Sequence, residues 1–431
     1  MKSAESPLFS PLKFQSQEFS VELNCRGMKE YTKVSYPVKY GLFSRLETPE
    51  VILEFNLNHE VTHGKSKSKA WLHPSEWLKR TMGNDWVYYS SGGYAGVFEA
   101  IGEYYLPNLS YQTNSLLGGK PFAEPEVERV SSQWHDILDS LPGKTADMPD
   151  WVLEWREKVR QVTPDLLEAR AEELFRIPGS RVSVLPPDAR HSDYDVIPLG
   201  IADGCLYKCR FCRIKNKKKF TPRSRQNIRD QIRELKTLYG KNLLNLNSLF
   251  LGEHDGLSAP EDLILFAART AYTEFGFENS FMQHPRLYLF GSVDGLLHSS
   301  PDLFEELSRL PFETFINIGF ESADQETLDR IAKPITVLQV KEAFARAQEL
   351  NRQYGNLEIT GNFVMDPSFP ESHTRAMLDL VREGLPRTLP KGSIYLSPLQ
   401  FGSPSREMLY DFYRLKTLSR LPMYLYIIQR L

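Results

Sequence analysis

The second half of this 431-residue chain alternates strand-like and helix-like segments, and that regularity constrains the fold more than any other feature. The six apolar segments that predict strands are 196–202, 248–251, 287–290, 314–320, 357–365 and 394–396. The helix-like segments that follow them are 224–239, a helix opening at 260, 300–310, 337–354, 372–383 and 406–418. Because each helical crossover returns the chain to start the next strand in the same direction, these units predict a parallel sheet.

Six parallel strands form either an open, doubly wound sheet or a partial barrel, and the pattern alone leaves both architectures open. In both of them, functional residues lie in the loops at the carboxyl ends of the strands. We therefore expect the functional side chains of this chain directly after its predicted strands.

The segment 176–193 breaks the helical pattern of the residues before it and contains Pro178, Gly179, Pro186 and Pro187. Proline and glycine at this density are typical of a linker. We therefore divide the chain into a mixed α/β N-terminal accessory domain (1–185), a core α/β domain (186–405) and a C-terminal helical extension (406–431).

Composition indicates a globular protein, with 41% hydrophobic residues, 25% charged residues and a mean hydropathy of -0.39. No apolar run approaches the roughly 18 residues that a membrane helix needs, and the first residues lack the pattern of a secretory signal. With a net charge of -3, the chain lacks the overall positive charge that is typical of a nucleic-acid-binding protein. Four cysteines, three of them clustered, argue against a disulfide framework and favour a reducing, cytoplasmic compartment.

Cys205, Cys209 and Cys212 follow the first predicted strand in the run GCLYKCRFC. Three thiolates at this spacing can bind three irons of a four-iron, four-sulfur (4Fe-4S) cluster and leave the fourth iron open. The alternatives are packing residues, or zinc ligands that act together with His191 or His254. Structural zinc sites usually take their ligands as two close pairs, whereas the only other cysteine, Cys25, is distant and single. The spacing therefore favours the cluster.

The motif CxxxCxxC, with the aromatic Phe211 before its last cysteine, resembles the signature of the radical S-adenosylmethionine (radical SAM) superfamily. The resemblance covers about residues 194–404 and implies a (β/α)6 partial TIM-type barrel after the accessory domain. It also implies that the open iron binds S-adenosylmethionine (SAM) through its amino and carboxylate groups. Reductive cleavage of SAM would then yield a 5′-deoxyadenosyl radical that abstracts hydrogen from an unidentified substrate.

The run INIGFES at 316–322, followed by LDRIAK at 328–333, is a second point of resemblance. It is similar to the branch that includes the Elongator catalytic subunit, the methylthiotransferases and the oxygen-independent coproporphyrinogen oxidases. Strand alternation places Asn317, Gly319 and Glu321 on one face, and a buried glutamate is costly unless it is paired. The SAM contacts that the resemblance implies are Phe211, Gly252, Glu253, Ser292, Asp294, Glu321, Ser322, Lys333 and Asn362. In the loop after the second strand, Glu253, Asp255 and backbone carbonyls remain alternative partners of the SAM amino group.

The resemblance requires an external one-electron donor. The basic residues near the cysteine motif are Arg210, Arg213, Lys215, Lys217, Lys218, Lys219, Arg223 and Arg225. They suit docking of an acidic flavodoxin or ferredoxin, or an anionic substrate, and the alternative is a solvated loop. Two further hypotheses are an RNA-modifying enzyme whose first half grips nucleic acid, and a non-catalytic iron-sulfur or zinc-binding protein.

Residues 59–63 read HEVTH, which matches the HExxH motif of zinc proteases. That motif needs a helix to bring both histidines to one face. Here the residues before it alternate like a strand and 64–67 are typical of a turn, so we do not expect catalytic zinc. The glycine-rich run 91–96 lacks the lysine and hydroxyl residue of a phosphate-binding loop, and it favours a plain turn.

Overall fold

The chain builds two sheets of opposite kind, one antiparallel and one parallel. The computed structural model describes residues 10–31, 39–90, 106–109, 120–212, 218–383, 391–399, 406–426 and 430–431. The glycine-rich run 91–96 lies outside these residues. No helix among them has the length and apolarity of a membrane span.

In the described part of the first half, eight strands pair antiparallel in chain order. They are β1 (Leu12–Gln15), β2 (Ser20–Arg26), β3 (Leu42–Glu47), β4 (Val51–Phe55), β5 (Val61–Ser66), β6 (Trp77–Arg80), β7 (Trp86–Ser90) and β8 (Leu106–Leu109). Four helices follow: α1 (Pro125–Ser132), α2 (Trp134–Asp139), α3 (Asp150–Gln161) and α4 (Pro164–Arg176). One sheet face packs on these helices so closely that a Cβ on Gly64 would lie 2.7 Å from Val130 Cγ1.

The HEVTH motif lies within this antiparallel sheet and forms a turn and a strand rather than a helix. His59 occupies the turn with a φ of 65°, and His63 lies in β5. Glu60 is buried, accepts a hydrogen bond from Asn56 Nδ2 at 2.7 Å and forms an ion pair with Arg170 at 2.6 Å. The glutamate therefore has a structural role in this sheet. The turn that was expected at 64–67 is wrong, because residues 64–66 pair with β4 as part of β5.

The second half contains the parallel sheet. In chain order, the strands of this half are β9 (Ile197–Leu199), β10 (Ala202–Asp203), β11 (Thr221–Pro222), β12 (Ser248–Leu251), β13 (Arg286–Gly291), β14 (Glu313–Glu321), β15 (Leu357–Met365), β16 (Ile394–Pro398) and β17 (Met423–Leu425). Among the described residues, β9 and β12–β17 form seven parallel strands in sequential order, and β10 and β11 form a separate antiparallel ribbon. The predicted α/β fold, a partial TIM-type barrel after an accessory domain, is confirmed.

Helices connect and follow these strands among the described residues. They are α5 (Arg225–Tyr239), α6 (Glu261–Phe275), α7 (Val293–His298), α8 (Pro301–Ser308), α9 (Gln325–Arg330), α10 (Val337–Gln353), α11 (Glu371–Glu383) and α12 (Arg406–Leu418). Ser224, Ser292 and Ser300 each accept a hydrogen bond from the backbone N–H three residues later. Thr336 and Gln339 form a reciprocal capping box at α10. These caps satisfy amide groups that a helix start leaves unpaired.

The six predicted strands are all present, and β17 is an additional strand that the sequence analysis did not predict. It follows α12 within the segment that was predicted as a helical extension, and it pairs with β16 through Ile394, Tyr395 and Leu396. With only three residues, β17 is too short to show the alternation that identifies a strand in a sequence.

The short 3₁₀ segment Pro187–Ser192, here called the barrel plug, packs on the inward face of the parallel sheet. Its Ser192 Oγ lies 2.6 Å from Ser248 Oγ and 2.5 Å from Tyr288 Oη. His191 stacks on Phe315 with 4.7 Å between ring centroids. The plug therefore fills the part of the barrel that lies toward the amino ends of the strands, and it leaves the carboxyl ends free.

Lys79 of β6 joins the accessory sheet to the start of the barrel. Its Nζ donates to Asp193 O at 2.8 Å, to Asp193 Oδ2 at 2.9 Å and to Asp195 Oδ2 at 3.0 Å. Asp193 and Tyr194 have φ values of 51° and 62°, a left-handed conformation that is uncommon for residues other than glycine. The lysine thus holds the turn that leads into β9.

We expect Lys79→Met to lower the free energy of unfolding by about 3 kcal/mol, because it leaves two aspartates without their cation. The control is Lys67→Met, since the ion pair of Lys67 with Glu47 is more than one third exposed on both side chains and such pairs contribute at most about 1 kcal/mol. Urea unfolding followed by circular dichroism measures both. Equal losses in the two variants would contradict the role of Lys79.

Candidate active site

A cavity of about 540 Å³ lies at the carboxyl ends of the parallel strands. Nine of the twelve predicted site residues line it: Cys205, Cys209, Phe211, Cys212, Glu253, Ser292, Glu321, Lys333 and Asn362. Of the remaining three, Gly252 lies beside a smaller neighbouring hollow, Asp294 lies in the first turn of α7, and Ser322 is fully buried behind the wall. The fold thus brings together residues from loops that are more than 100 positions apart in the sequence.

The three clustered cysteines form no disulfide and are partly buried, and all three line the cavity. Burial raises the pKa of Cys205 and raises the pKa of Cys209 to about 11. The thiols of Cys205 and Cys209 are therefore protonated at neutral pH until a metal displaces their protons. Three cysteines on the wall of one cavity fit a cluster that takes one thiolate on each of three irons.

Among the described residues, no three His, Cys, Asp or Glu side chains converge on a single metal ion. A 4Fe-4S cluster does not need such convergence, since each thiolate binds a different iron.

Two contacts anchor the cysteine loop to neighbouring elements. Tyr207 Oη accepts a hydrogen bond from the backbone N–H of Asp294 at 3.2 Å, and Arg210 N donates to Ile331 O at 2.8 Å. The loop leaves β10 through Gly204, whose φ is 75° and where a Cβ would lie 2.6 Å from Lys218 O. The loop that carries the thiols is therefore fixed by α7 and by the end of α9.

Glu321 and Lys333 form a buried ion pair on the cavity wall. Glu321 Oε1 lies 3.4 Å from Lys333 Nζ, and Glu321 Oε2 accepts a hydrogen bond from Asn362 Nδ2 at 3.3 Å. Glu321 has a φ of 64°, and Ala332, the residue before Lys333, has a φ of 55°. Left-handed backbone at non-glycine residues costs about 1–3 kcal/mol and clusters at functional sites. The strained backbone thus sets the direction of both charged side chains.

Gly319 leaves room for this pair. A Cβ at position 319 would lie 2.5 Å from Glu321 Oε1 and 3.3 Å from Lys333 Nζ. The glycine is therefore required by the close approach of the carboxylate, in addition to its place in the INIGFES run.

The loop after β12 places its two acids differently. The Glu253 carboxylate accepts a hydrogen bond from Ser180 Oγ, at the rim of the cavity. Asp255 is 4% exposed and accepts hydrogen bonds from Ser292 N at 2.9 Å and Ser258 Oγ at 2.8 Å. Burial raises the pKa of Asp255. Asp255 therefore fixes the neighbouring loops, whereas Glu253 lies closer to open space.

Ser322 turns away from the cavity toward His373. Its Oγ lies 2.8 Å from His373 Nδ1, and His373 Nε2 lies 2.9 Å from Val364 O. Because a carbonyl oxygen only accepts, Nε2 must carry the proton and Nδ1 accepts from Ser322. Burial lowers the pKa of His373. This arrangement joins the ends of β14 and β15 through a neutral histidine.

Asp255, which the sequence analysis kept as an alternative partner of the SAM amino group, lines the cavity. The wall also contains polar residues that the sequence analysis did not assign to the SAM site: Tyr207, Lys208, Arg210, His254, Asn317, Ser397 and Tyr426. Asn317 shares its face with Glu321, and Ser397 donates to Asn362 Oδ1 at 2.8 Å. Strand alternation was a sufficient signal for Asn317. Ser397 lies one residue beyond the strand that was predicted at 394–396. Tyr426 follows β17, and no sequence signal places it at the cavity.

The basic run near the cysteines is only partly described, since Arg213, Lys215 and Lys217 lie outside the described residues. Lys218 and Arg223 both form ion pairs with Asp203. The mouth of the cavity thus takes its exposed positive charge from Lys208 and Arg210 among the described residues.

Residues 199–381, less than half of the chain, match the family model of the radical SAM superfamily. A search of the curated proteins finds no match. The family match confirms the resemblance seen in the cysteine spacing and shows a radical SAM domain.

Among solved structures, 31 chains match. The cobalamin-dependent S-adenosylmethionine radical enzyme OxsB with aqua-cobalamin bound is 14% identical, with a TM-score of 0.33 over 45% of this chain and 27% of OxsB. A radical SAM methyltransferase from Sphaerobacter thermophilus is 14% identical, with a TM-score of 0.34 over 54% of this chain and 65% of that one. The hydrogenase maturase HydG is 13% identical, with a TM-score of 0.34 over 68% and 67%. The chain thus spans about a quarter of OxsB.

The His373 contact gives stability a pH dependence. A histidine whose pKa is lower in the folded state than in the unfolded state destabilises the fold as pH falls below the ordinary value of about 6.5. Between about pH 7.5 and pH 5.5, we expect the melting temperature of the wild type to fall more than that of His373→Asn. His298→Asn is the control, because His298 is exposed. If His373→Asn keeps the full pH dependence, the histidine does not carry it.

Proposed function

We propose that this chain, whose residues 199–381 form a radical SAM domain, binds one 4Fe-4S cluster through Cys205, Cys209 and Cys212 and binds SAM in the adjoining cavity. When bound, these groups supply a one-electron cleavage that releases methionine and a 5′-deoxyadenosyl radical, which takes a hydrogen atom from an unidentified substrate. The observation that carries the proposal is the shared cavity. It joins the three clustered cysteines to the buried Glu321–Lys333 pair.

The buried pair suits the amino-acid end of SAM, which carries one carboxylate and one amino group. Lys333 offers its ammonium to the carboxylate, and Glu321 offers its carboxylate to the N–H of the amino group or to the ribose hydroxyls. Charge-assisted hydrogen bonds of this kind are about twice as strong as neutral ones. Asn362 and Ser292 add neutral polar groups on the same wall.

The size of the cavity supports a small organic ligand. Its volume of about 540 Å³ lies within the roughly 300–1,000 Å³ of ordinary ligand pockets. Phe290, Val364 and Leu399 contribute apolar wall, which limits the access of water to a reactive intermediate. Phe211 lies beside Cys212, where the resemblance expects an adenine contact.

The partners and the location follow from the same chemistry. Lys208 and Arg210 at the mouth suit an acidic one-electron donor such as a flavodoxin or ferredoxin. Thiols kept for an iron-sulfur cluster favour the cytoplasm, where disulfides are rare. The accessory domain (1–185) shapes access to the cavity, and the segment 406–431 completes the barrel wall with β17.

We expect Cys209→Ala to abolish both cluster assembly and 5′-deoxyadenosine formation, because it removes one iron ligand. The protein is purified anaerobically, reconstituted with iron and sulfide, reduced with dithionite and mixed with SAM. Cys25→Ala is the matched control, since Cys25 lies in β2 of the accessory sheet. A wild type that holds zinc alone, or that carries a full cluster and forms no 5′-deoxyadenosine, would refute the proposal.

Lys333→Gln should raise the dissociation constant of SAM by about ten-fold or more, since a hydrogen bond to a charged group contributes about 1.5–3 kcal/mol. Isothermal titration with reconstituted protein measures the constant. Lys341→Gln on the exposed face of α10 serves as the control. Unchanged SAM affinity in Lys333→Gln would remove this lysine from the site.

A further inference from the structure

A chain of hydrogen bonds runs from the barrel plug to the cavity. Asp188 of the plug is 1% exposed. Its Oδ2 accepts from Thr360 Oγ1 at 2.7 Å, and its Oδ1 accepts from Tyr395 Oη at 2.8 Å. Thr360 Oγ1 accepts in turn from Asn317 Nδ2 at 2.9 Å. Asn317 lies on the cavity wall, so the chain links a buried carboxylate to the ligand space through one hydroxyl.

The direction of this chain is fixed by its proton count. An ionised carboxylate only accepts hydrogen bonds, so the hydroxyl group of Thr360 must donate its single proton to Asp188. The Thr360 oxygen then accepts, which forces Asn317 to turn its NH2 group toward Thr360. The other end of the amide, Oδ1, has no hydrogen-bond partner among the described residues, and Asn317 lines the cavity.

We propose that Asp188 is a positioning residue: through Thr360 it holds the Asn317 amide with Oδ1 toward the cavity, where Oδ1 accepts a hydrogen bond from a hydroxyl or amino group of SAM. This inference rests on the proposed function, since it requires SAM in the cavity. SAM carries such donors on its ribose and on its adenine.

Protonation of Asp188 reverses the direction of the hydrogen bonds from Asp188 to Asn317. The neutral acid donates to Thr360, whose own proton then points toward Asn317. To accept this proton, the Asn317 amide rotates so that its oxygen faces Thr360 and its NH2 group faces the cavity. The NH2 group cannot accept a hydrogen bond from the donors of SAM. The change needs only rotation of one amide group, so the backbone and the cavity keep their shape.

The surroundings place this proton change near neutrality. Burial raises the pKa of Asp188 to about 7, against the lowering effect of the Thr360 and Tyr395 hydroxyls. Glu358 of β15 raises it further, and Arg190 of the plug lowers it. Tyr288 of β13 also faces it. Ionised Asp188 therefore prevails at higher pH, and SAM affinity should fall as pH falls.

The test compares the SAM affinity of anaerobically reconstituted full-length protein at about pH 8 and about pH 6, measured by isothermal titration. We expect the affinity of the wild type to fall about five-fold more than that of Thr360→Val, the effect of one hydrogen bond. The SAM amino group titrates equally in both proteins, so the comparison removes its contribution. Thermal melting at both pH values verifies that each variant is folded.

Further variants separate the relay from a structural role. Thr360→Ser keeps the hydroxyl and should keep the pH dependence, whereas Asp188→Asn removes the titrating group and should lose it. Tyr395→Phe removes one donor to the charged form of Asp188, so the midpoint of the dependence should move to higher pH.

Two negative results have different meanings. A wild type that binds no SAM at either pH overturns the proposed function itself. SAM binding with the same pH dependence in wild type and Thr360→Val overturns only the relay, as does a pH dependence that survives in Asp188→Asn.

Discussion

The inward face of the parallel sheet carries polar side chains, and satisfying them decides how the barrel is filled. A buried polar group without a partner costs about 1–3 kcal/mol. Ser248, Tyr288, Thr360 and Tyr395 all point to this face, and each is satisfied by a side chain of the barrel plug. The plug can occupy only the half of the barrel where these groups lie. The cavity at the carboxyl ends is what this packing leaves open.

Local sequence patterns were sufficient to predict much of the fold and part of the candidate site. The six predicted strands and the helices between them follow from periodicity within short windows. The cysteine loop and the INIGFES run were identifiable because their residues are close in sequence. Strand alternation also predicted correctly that Asn317, Gly319 and Glu321 share a face, and all three line the cavity.

Contacts between distant segments were not predictable in the same way. Ser322 matches the family motif, yet its partner His373 lies 51 positions away and draws it behind the wall. Glu253 is held by Ser180, from the segment that the sequence analysis described only as a linker. Tyr426 reaches the cavity because β17 extends the sheet by one strand. In each case a pairing across the fold decides the outcome, and periodicity carries no information about it.

The described wall carboxylates differ in how firmly they are held, and the difference bears on which of them meets a cationic ligand. Asp255 has two hydrogen bonds of 2.9 and 2.8 Å inside its own loops, so a ligand would have to replace both. The contacts of Glu321, at 3.4 Å to Lys333 and 3.3 Å to Asn362, are long, and long hydrogen bonds are weak. A ligand that brings a carboxylate to Lys333 and an N–H or O–H donor to Glu321 replaces these weak contacts with two charge-assisted ones. The strained backbone at Glu321 and before Lys333 then holds both charged groups toward the ligand before it binds, which favours the bound arrangement.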